Sequence, residues 1–169
     1  MTDDTEIKAK FWKALRDDRT IMLGLADEHG HTRPMTAQLD EEVHGEENGP
    51  LYIFTSVDNG IVEKLGNGSG ADSHRAISTF ASKGHDIFAT IDGTLSIDTD
   101  RSKVDRLWNR FVAAWYEDGK DDPNLRLLRF DTTHAEIWVD ASSTIAGIKM
   151  LIGIDPKQDY KDKVADVAL

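Results

Sequence analysis

The stretch Gly30-His-Thr-Arg-Pro-Met-Thr-Ala-Gln-Leu39 alternates in the manner of a β-strand that leaves a turn. One face comprises Arg33, Met35, Ala37 and Leu39, and the other comprises Thr32, Pro34, Thr36 and Gln38. Because proline cannot donate to a neighbouring strand, Pro34 predicts an edge, a bulge or a locally open pairing. A rim that combines a guanidinium with polar side chains suits an anionic, partly aromatic ligand. A solvated edge strand without a ligand explains the same stretch, so this segment alone does not distinguish a ligand site from an ordinary edge strand.

The composition is that of one globular domain, and we expect residues 1–169 to form it. Hydrophobic residues make up 39% of the chain and charged residues 30%, which is typical of a folded protein. The formal net charge is −11, without a basic run to offset it. This sign disfavours binding to nucleic acid or to an anionic membrane surface, since both would repel the protein.

Several kinds of site and location are disfavoured by what the sequence lacks. It contains no cysteine, which excludes disulfides, thiolate catalysis and cysteine-based metal sites. The histidines at 29, 31 and 44 lack the helical spacing of a zinc motif, so we expect no metal site. No apolar run reaches membrane-spanning length, and the acidic N-terminus lacks the regions of a signal peptide. We therefore expect a cytoplasmic protein.

Most of the predicted elements are strands joined by short turns. An amphipathic helix is predicted at Thr5–Arg16, with Ile7, Phe11, Trp12 and Leu15 on its apolar face. Strands are predicted at Thr20–Ala26, Gly30–Leu39, Leu51–Ser56, His74–Ser82, His85–Ile97, Leu125–Phe130 and His134–Val139. Since β-α alternation is missing, we predict a mainly β fold, an antiparallel barrel-like sheet with peripheral helices, rather than a Rossmann fold.

Details of four further segments can be predicted. Gly93 indicates a bulge or a barrel bend within its strand. About one helical turn is predicted at Ile61–Leu65. A helix starting at Asp98–Arg101 would carry Val104, Leu107, Trp108 and Phe111 on one face. Residues 141–169 read as a C-terminal helical extension, with helices predicted at Thr144–Ile152 and Asp159–Val167.

A set of short motifs, in a fixed order, resembles a known family. They are Arg33-Pro-Met-Thr-Ala-Gln38, Leu51-Tyr-Ile-Phe-Thr-Ser56, Gly93, Leu107-Trp-Asn, Ala114-Trp-Tyr, Gly119-Lys-Asp-Asp-Pro123 and Ala135-Glu-Ile-Trp138. Each motif alone is weak. Together, over nearly the whole chain, they resemble the general stress protein branch of the pyridoxamine 5′-phosphate oxidase-like FMN-binding split barrels.

The resemblance implies a six- to seven-stranded antiparallel split β-barrel that forms a homodimer, with one FMN in each of two clefts between subunits. It implies a flavin-facing role for Arg33, Met35, Thr36 and Gln38, and a place near the ribityl phosphate for Phe54, Thr55 and Ser56. Trp115 matches an aromatic position near the dimer cleft, where it would cover the flavin ring or pack at the interface.

The chain departs from the family pattern at two places. Many members carry a basic residue shortly after the Thr-Ser pair, whereas this chain has Asp58 there and Lys64 as the nearest substitute. FAD therefore remains an alternative to FMN. The segment after Val139 contains no arginine or histidine of the kind that holds the substrate in pyridoxamine phosphate oxidases, so that activity is not expected.

Three functions are compatible with these observations. The first is a flavin-binding stress-type protein, with or without oxidoreductase activity on an unknown substrate. The second is a non-enzymatic stress-related dimer with weak or no flavin binding. The third, a haem-binding split barrel, is not favoured by the spacing of the histidines. No side chain indicates a general acid or base; His85 and His134 are candidates by residue type only.

Overall fold

The computed structural model describes residues 3–26, 31–44, 48–66, 72–140 and 164–169. The chain begins with helix α1, Asp4–Asp18, which buries the predicted apolar face of Ile7, Phe11, Trp12 and Leu15. This helix packs against β6, β7 and β8 of the sheet described below. Its predicted position and its core-facing residues are both confirmed.

Within the described ranges, eight strands form one antiparallel sheet. They are β1 (Thr20–Leu25), β2 (Arg33–Thr36), β3 (Gln38–Leu39), β4 (Leu51–Ser56), β5 (His74–Ala81), β6 (Ile87–Asp98), β7 (Leu125–Val139) and β8 (Val164–Ala168). The order across the sheet is β2-β1-β5-β6-β7-β4-β3, and β8 pairs with β7 beyond the end of β4. The short helices are α2 (Gly60–Lys64), α3 (Arg101–Leu107), α4 (Arg110–Ala113) and a 3-10 turn at Gly119–Asp121. The predicted mainly β, antiparallel class is confirmed.

The predicted strand Gly30–Leu39 is two strands, β2 and β3, at opposite edges of the sheet. Ala37 alone joins them; it is fully buried, and its N–H donates to the Arg19 carbonyl at 2.7 Å. This bond continues the β1–β2 register by one residue beyond the Thr20–Thr36 pair. The next residue, Gln38, pairs with Tyr52 of β4 instead, so the chain changes its pairing partner at Ala37 and one predicted strand becomes two. Pro34 lies on the edge strand β2, as predicted, whereas Gly30 lies outside the described residues.

Strand β7 runs without interruption where two strands were predicted. Its register against β6 shifts between Asp92 and Gly93, which confirms the predicted bulge. A Cβ at Gly93 would lie 2.3 Å from the Asp131 carbonyl oxygen. Only glycine therefore allows β6 and β7 to approach so closely at this point.

The helix predicted from Asp98–Arg101 through Phe111 is broken in two. Trp108 is extended after α3, and the Asn109 side chain accepts from the N–H groups of Phe111 and Val112 to start α4. Because this cap turns the chain, Phe111 does not share a buried face with Leu107, and 62% of it is exposed.

The C-terminal prediction is wrong where it can be compared. Residues Val164–Ala168 form strand β8 against β7, whereas a helix was predicted over Asp159–Val167. The pairing partner lies some thirty residues earlier in the chain, so local periodicity did not reveal it. The helix predicted at Thr144–Ile152 lies outside the described residues. Among the described residues, no helix has the length and apolar character needed to span a membrane.

Candidate functional site

A cleft of about 860 Å³ is lined by residues of β2, β3 and β4 and by the segment that contains α4. Seven of the nine residues predicted for a ligand site line it. They are Met35, Thr36, Gln38, Phe54, Thr55, Ser56 and Trp115. This volume is within the usual range for small-molecule sites. The structure thus brings most of the predicted positions together on one surface.

The strand ladder fixes the near wall of the cleft. Gln38 pairs with Tyr52 across β3 and β4, and Thr36 pairs with Thr20 across β2 and β1. The Asn59 side chain donates to Thr55 at 3.1 Å and thereby joins the end of β4 to the start of α2. The near wall therefore carries hydroxyl, amide and thioether groups, and the sheet holds the backbone of these residues in place.

Two of the predicted residues do not line the cleft. The Arg33 guanidinium donates from Nη1 to Asn59 Oδ1 at 3.1 Å, at the residue that caps α2. It lies beside the Ser56 end of the cleft, since Asn59 also donates a backbone bond to the Ser56 carbonyl. Lys64 is the last residue of α2 and is exposed.

Two side-chain contacts hold the far wall against β3. Arg106 on α3 donates from Nε to Asp40 Oδ2 at 3.2 Å, and Asn109 Nδ2 donates to Gln38 Oε1 at 3.3 Å. The Asp40 carboxylate is buried, and its bond to Arg106 holds its pKa below the usual range. These contacts fix where α4 begins and hence where the exposed rings of Phe111 and Trp115 stand.

The charges of the cleft are unevenly distributed. Four carboxylates line it, those of Asp58, Glu117, Asp118 and Asp122. Burial, with the nearby charges of Asp122 and Asp58, raises the pKa of Tyr116 to about 12, so its phenol stays protonated at neutral pH. Among the described residues of the lining, only Arg19 carries a positive charge.

Sequence reasoning missed Arg19 and Asn109 as lining residues. The signal for Asn109 was present, because an asparagine two residues before an apolar pair is a common helix start. Arg19 gave no comparable signal, since its place at the cleft depends on how α1 packs on the sheet.

The histidines considered as acid–base candidates lie elsewhere. His85 stacks on Phe88 with ring centroids 6.3 Å apart, and His134 pairs with Asp166 of β8. Neither lines the cleft. In the part of the chain that is described, no group of three histidine or carboxylate residues is arranged to hold a metal ion.

The sequence and the fold were compared with known proteins. Residues 6–161 match the family model described as pyridoxamine 5′-phosphate oxidase like. A crystal structure of the general stress FMN/FAD binding protein from Xanthomonas citri is 55% identical, covers 82% of this chain and 92% of its own, and has a TM-score of 0.71. A protein assigned to the general stress family in Xanthomonas campestris pv. campestris is also 55% identical, with 85% and 93% covered and a TM-score of 0.72.

A more distant structure supports the fold alone. It is a pyridoxamine 5′-phosphate oxidase-related, FMN binding protein from Nostoc punctiforme, with 10% identity, 96% of each chain covered and a TM-score of 0.56. The search of curated proteins finds no match. The likeness over nearly the whole chain therefore includes the strands and the α4 segment that form the cleft.

Proposed function

This chain belongs to the general stress branch of the pyridoxamine 5′-phosphate oxidase-like family, and from that premise we propose that it binds a flavin in the cleft. FMN is the first candidate and FAD the alternative. The observation that carries the proposal is the cleft itself. It is large enough for a flavin and is lined by seven of the nine residues singled out for that role.

Each group of lining residues would have a separate task. Met35, Thr36 and Gln38 would lie along the ring system, where the amide and hydroxyl can bond its polar edge. Phe54, Thr55 and Ser56 would lie near the ribityl phosphate. When bound, a flavin accepts and passes on electrons, and the protein's part is to orient it and to control access to it.

Arg33 supplies positive charge near the proposed phosphate end. The acidic residue that follows the Thr-Ser pair, Asp58, would repel a phosphate, and Lys64 stands at the far end of α2. The Arg33 guanidinium is held 3.1 Å from Asn59 Oδ1, one residue beyond Asp58. It can therefore offset the carboxylate that the sequence places there.

We further propose that two subunits form a homodimer with the clefts between them. Phe111 is 62% exposed and Trp115 is 84% exposed, and both line the cleft. Large aromatic side chains so exposed at a cleft mouth are typical of a surface that a partner covers. A second subunit would cover both rings and close the cleft over its ligand.

The reaction, if there is one, is proposed only as a flavin-dependent oxidation or reduction of unknown substrate. Pyridoxamine phosphate oxidation is not proposed, because residues 140–169 contain neither arginine nor histidine. A non-enzymatic protein that binds flavin weakly is the second candidate. Its supporting observation is the excess of carboxylates in the cleft, which would weaken the binding of any phosphate.

A visible spectrum of freshly purified protein tests flavin binding. We expect flavin absorption bands, or uptake of added FMN seen as quenching of its fluorescence in a titration. Titrating FAD and riboflavin beside FMN ranks the three ligands. A colourless protein that quenches none of them would contradict the proposal and leave the non-enzymatic candidate.

A further inference from the structure

Arg19 has an unusual backbone conformation for its residue type. It is the single residue between α1 and β1, and its φ of 60° and ψ of −4° lie in the left-handed region. Glycine or asparagine usually occupies such a position at a helix end, because a larger side chain is strained there. An arginine therefore occupies a position at which glycine or asparagine would adopt the same backbone conformation with less strain.

The Arg19 guanidinium has no protein partner among the described residues. It is half-buried, yet no hydrogen bond or ion pair of its side chain is formed with them. The nearest carboxylates in sequence are engaged elsewhere: Asp17 pairs with Lys13 at 3.0 Å and Asp18 with Lys83 at 3.7 Å. A partly buried guanidinium without a partner is poorly satisfied unless a ligand or water accepts its donors.

The surroundings of Arg19 suit an anionic ligand group. Arg19 lines the cleft together with Thr20 and Thr36, which face each other across β1 and β2 and carry hydroxyls. Its carbonyl is bonded to the Ala37 N–H at 2.7 Å, which ties the arginine to the junction of β2 and β3. The backbone is therefore fixed on the lining, whereas the donors of the side chain remain available.

We propose that Arg19 is the anion-binding residue of the cleft and pairs with a phosphate or another group with anionic oxygens. The planar guanidinium can bind two such oxygens at once. This inference rests on the proposed function, since it assigns a residue to the same cleft. The anion has two sources. One is an anionic co-substrate that binds beside the flavin, and the other is the phosphate of the flavin itself, which would then lie at Arg19 rather than near Phe54, Thr55 and Ser56.

Two variants separate binding from folding. Arg19→Asn and Arg19→Gly both remove the guanidinium and both accept a positive φ, so their melting temperatures should equal or exceed that of the unmodified protein. Arg75→Asn is the matched control, because it removes the same charge from an exposed site on β5 outside the cleft. Each protein is titrated with FMN, with riboflavin and with inorganic pyrophosphate.

If the anion is the flavin phosphate, both Arg19 variants bind FMN about ten-fold more weakly or worse, while riboflavin affinity changes little. If it belongs to a separate molecule, FMN affinity is kept and pyrophosphate binding to the riboflavin-loaded protein is lost. Unchanged binding of all three, or an equal loss of FMN and riboflavin with pyrophosphate retained, would overturn the inference. Should the unmodified protein bind no flavin, the proposed function fails, and pyrophosphate binding to the flavin-free protein still decides the role of Arg19.

Discussion

The Arg33 guanidinium donates to Asn59 Oδ1 at 3.1 Å, and so connects edge strand β2 to the first turn of α2. The same Asn59 oxygen accepts from the Ile61 N–H at 3.0 Å, and the Asn59 amide donates to Thr55. One asparagine therefore joins β2, the end of β4 and α2. The arginine of the motif and the Thr-Ser pair, separate in sequence, meet at one end of the cleft.

Arg33→Ala should weaken FMN binding without disturbing the fold. The change removes a positive charge that is held at Asn59, one residue beyond Asp58, and the affinity should fall by about ten-fold, as expected when one nearby cationic charge is lost. A fluorescence titration with FMN measures this, and sedimentation checks that the oligomeric state is unchanged. Arg33→Lys should recover part of the affinity. An FMN affinity equal to that of the unmodified protein would refute the role given to Arg33.

Much of the fold and of the cleft could be predicted because it depends on local patterns. The alternation of Leu51–Ser56 and the apolar face of α1 each identify a buried side without reference to distant residues. Gly93 indicated its own bulge. The motif residues of β2, β3 and β4 line one cleft, and it was the family resemblance, not the strand pattern, that grouped them as a site.

What could not be predicted depends on contacts between distant segments. Strand β8 exists because it pairs with residues 134–138 of β7, and nothing in its own short sequence requires this. The break between α3 and α4 depends on Asn109, whose side chain both caps α4 and reaches Gln38. Arg19 lines the cleft only because α1 delivers it there.

Asp40→Asn should destabilise the protein, and the effect should vanish in acid. The buried Asp40 carboxylate accepts from Arg106, which holds its pKa below the usual value. A carboxylate whose pKa is lower in the folded state than in the unfolded state, where it is about 4, stabilises the fold at pH values above the unfolded pKa. This stabilisation is lost as the pH falls through the pKa of the folded state. Urea unfolding should therefore show a loss of about 1–3 kcal/mol at pH 7 and a shrinking difference below pH 4.

The control for Asp40 is another carboxylate whose pKa is lowered by a basic partner. Asp105 accepts from Lys120 at 2.9 Å, but both side chains are solvent-exposed to a substantial degree. Exposed pairs contribute little, so Asp105→Asn should unfold close to the unmodified protein at either pH. Equal stability of Asp40→Asn and the unmodified protein at pH 7 would show that the contact to α3 is dispensable.

Gly93→Ala should destabilise the sheet, whereas Gly60→Ala should not. A Cβ at position 93 would lie 2.3 Å from a backbone oxygen of β7, and β7 cannot move away without breaking its ladder to β6. At position 60 the nearest atom, Nη2 of Arg33, would be 3.6 Å away, which is ordinary contact. Thermal and urea unfolding should show a cost of about 1–3 kcal/mol for Gly93→Ala, typical of overpacking. Equal stability of the two variants would contradict the bulge geometry.

Trp115→Ala tests whether a partner subunit completes the cleft. Trp115 is 84% exposed in the single chain, so its loss should leave the stability of an isolated subunit almost unchanged. In the proposed homodimer the ring is buried, and its removal should raise the dimer dissociation constant by ten-fold or more, as at an aromatic hot spot. Sedimentation measures dissociation over a concentration series, and an FMN titration shows whether flavin affinity falls with it.

Phe88→Ala is the matched control, because Phe88 is 40% exposed on β6 and does not line the cleft. If Trp115→Ala changes neither the dimer dissociation constant nor the flavin affinity, the Trp115 ring lies neither at the subunit interface nor against the flavin. The proposal that a partner subunit covers this ring would then be wrong.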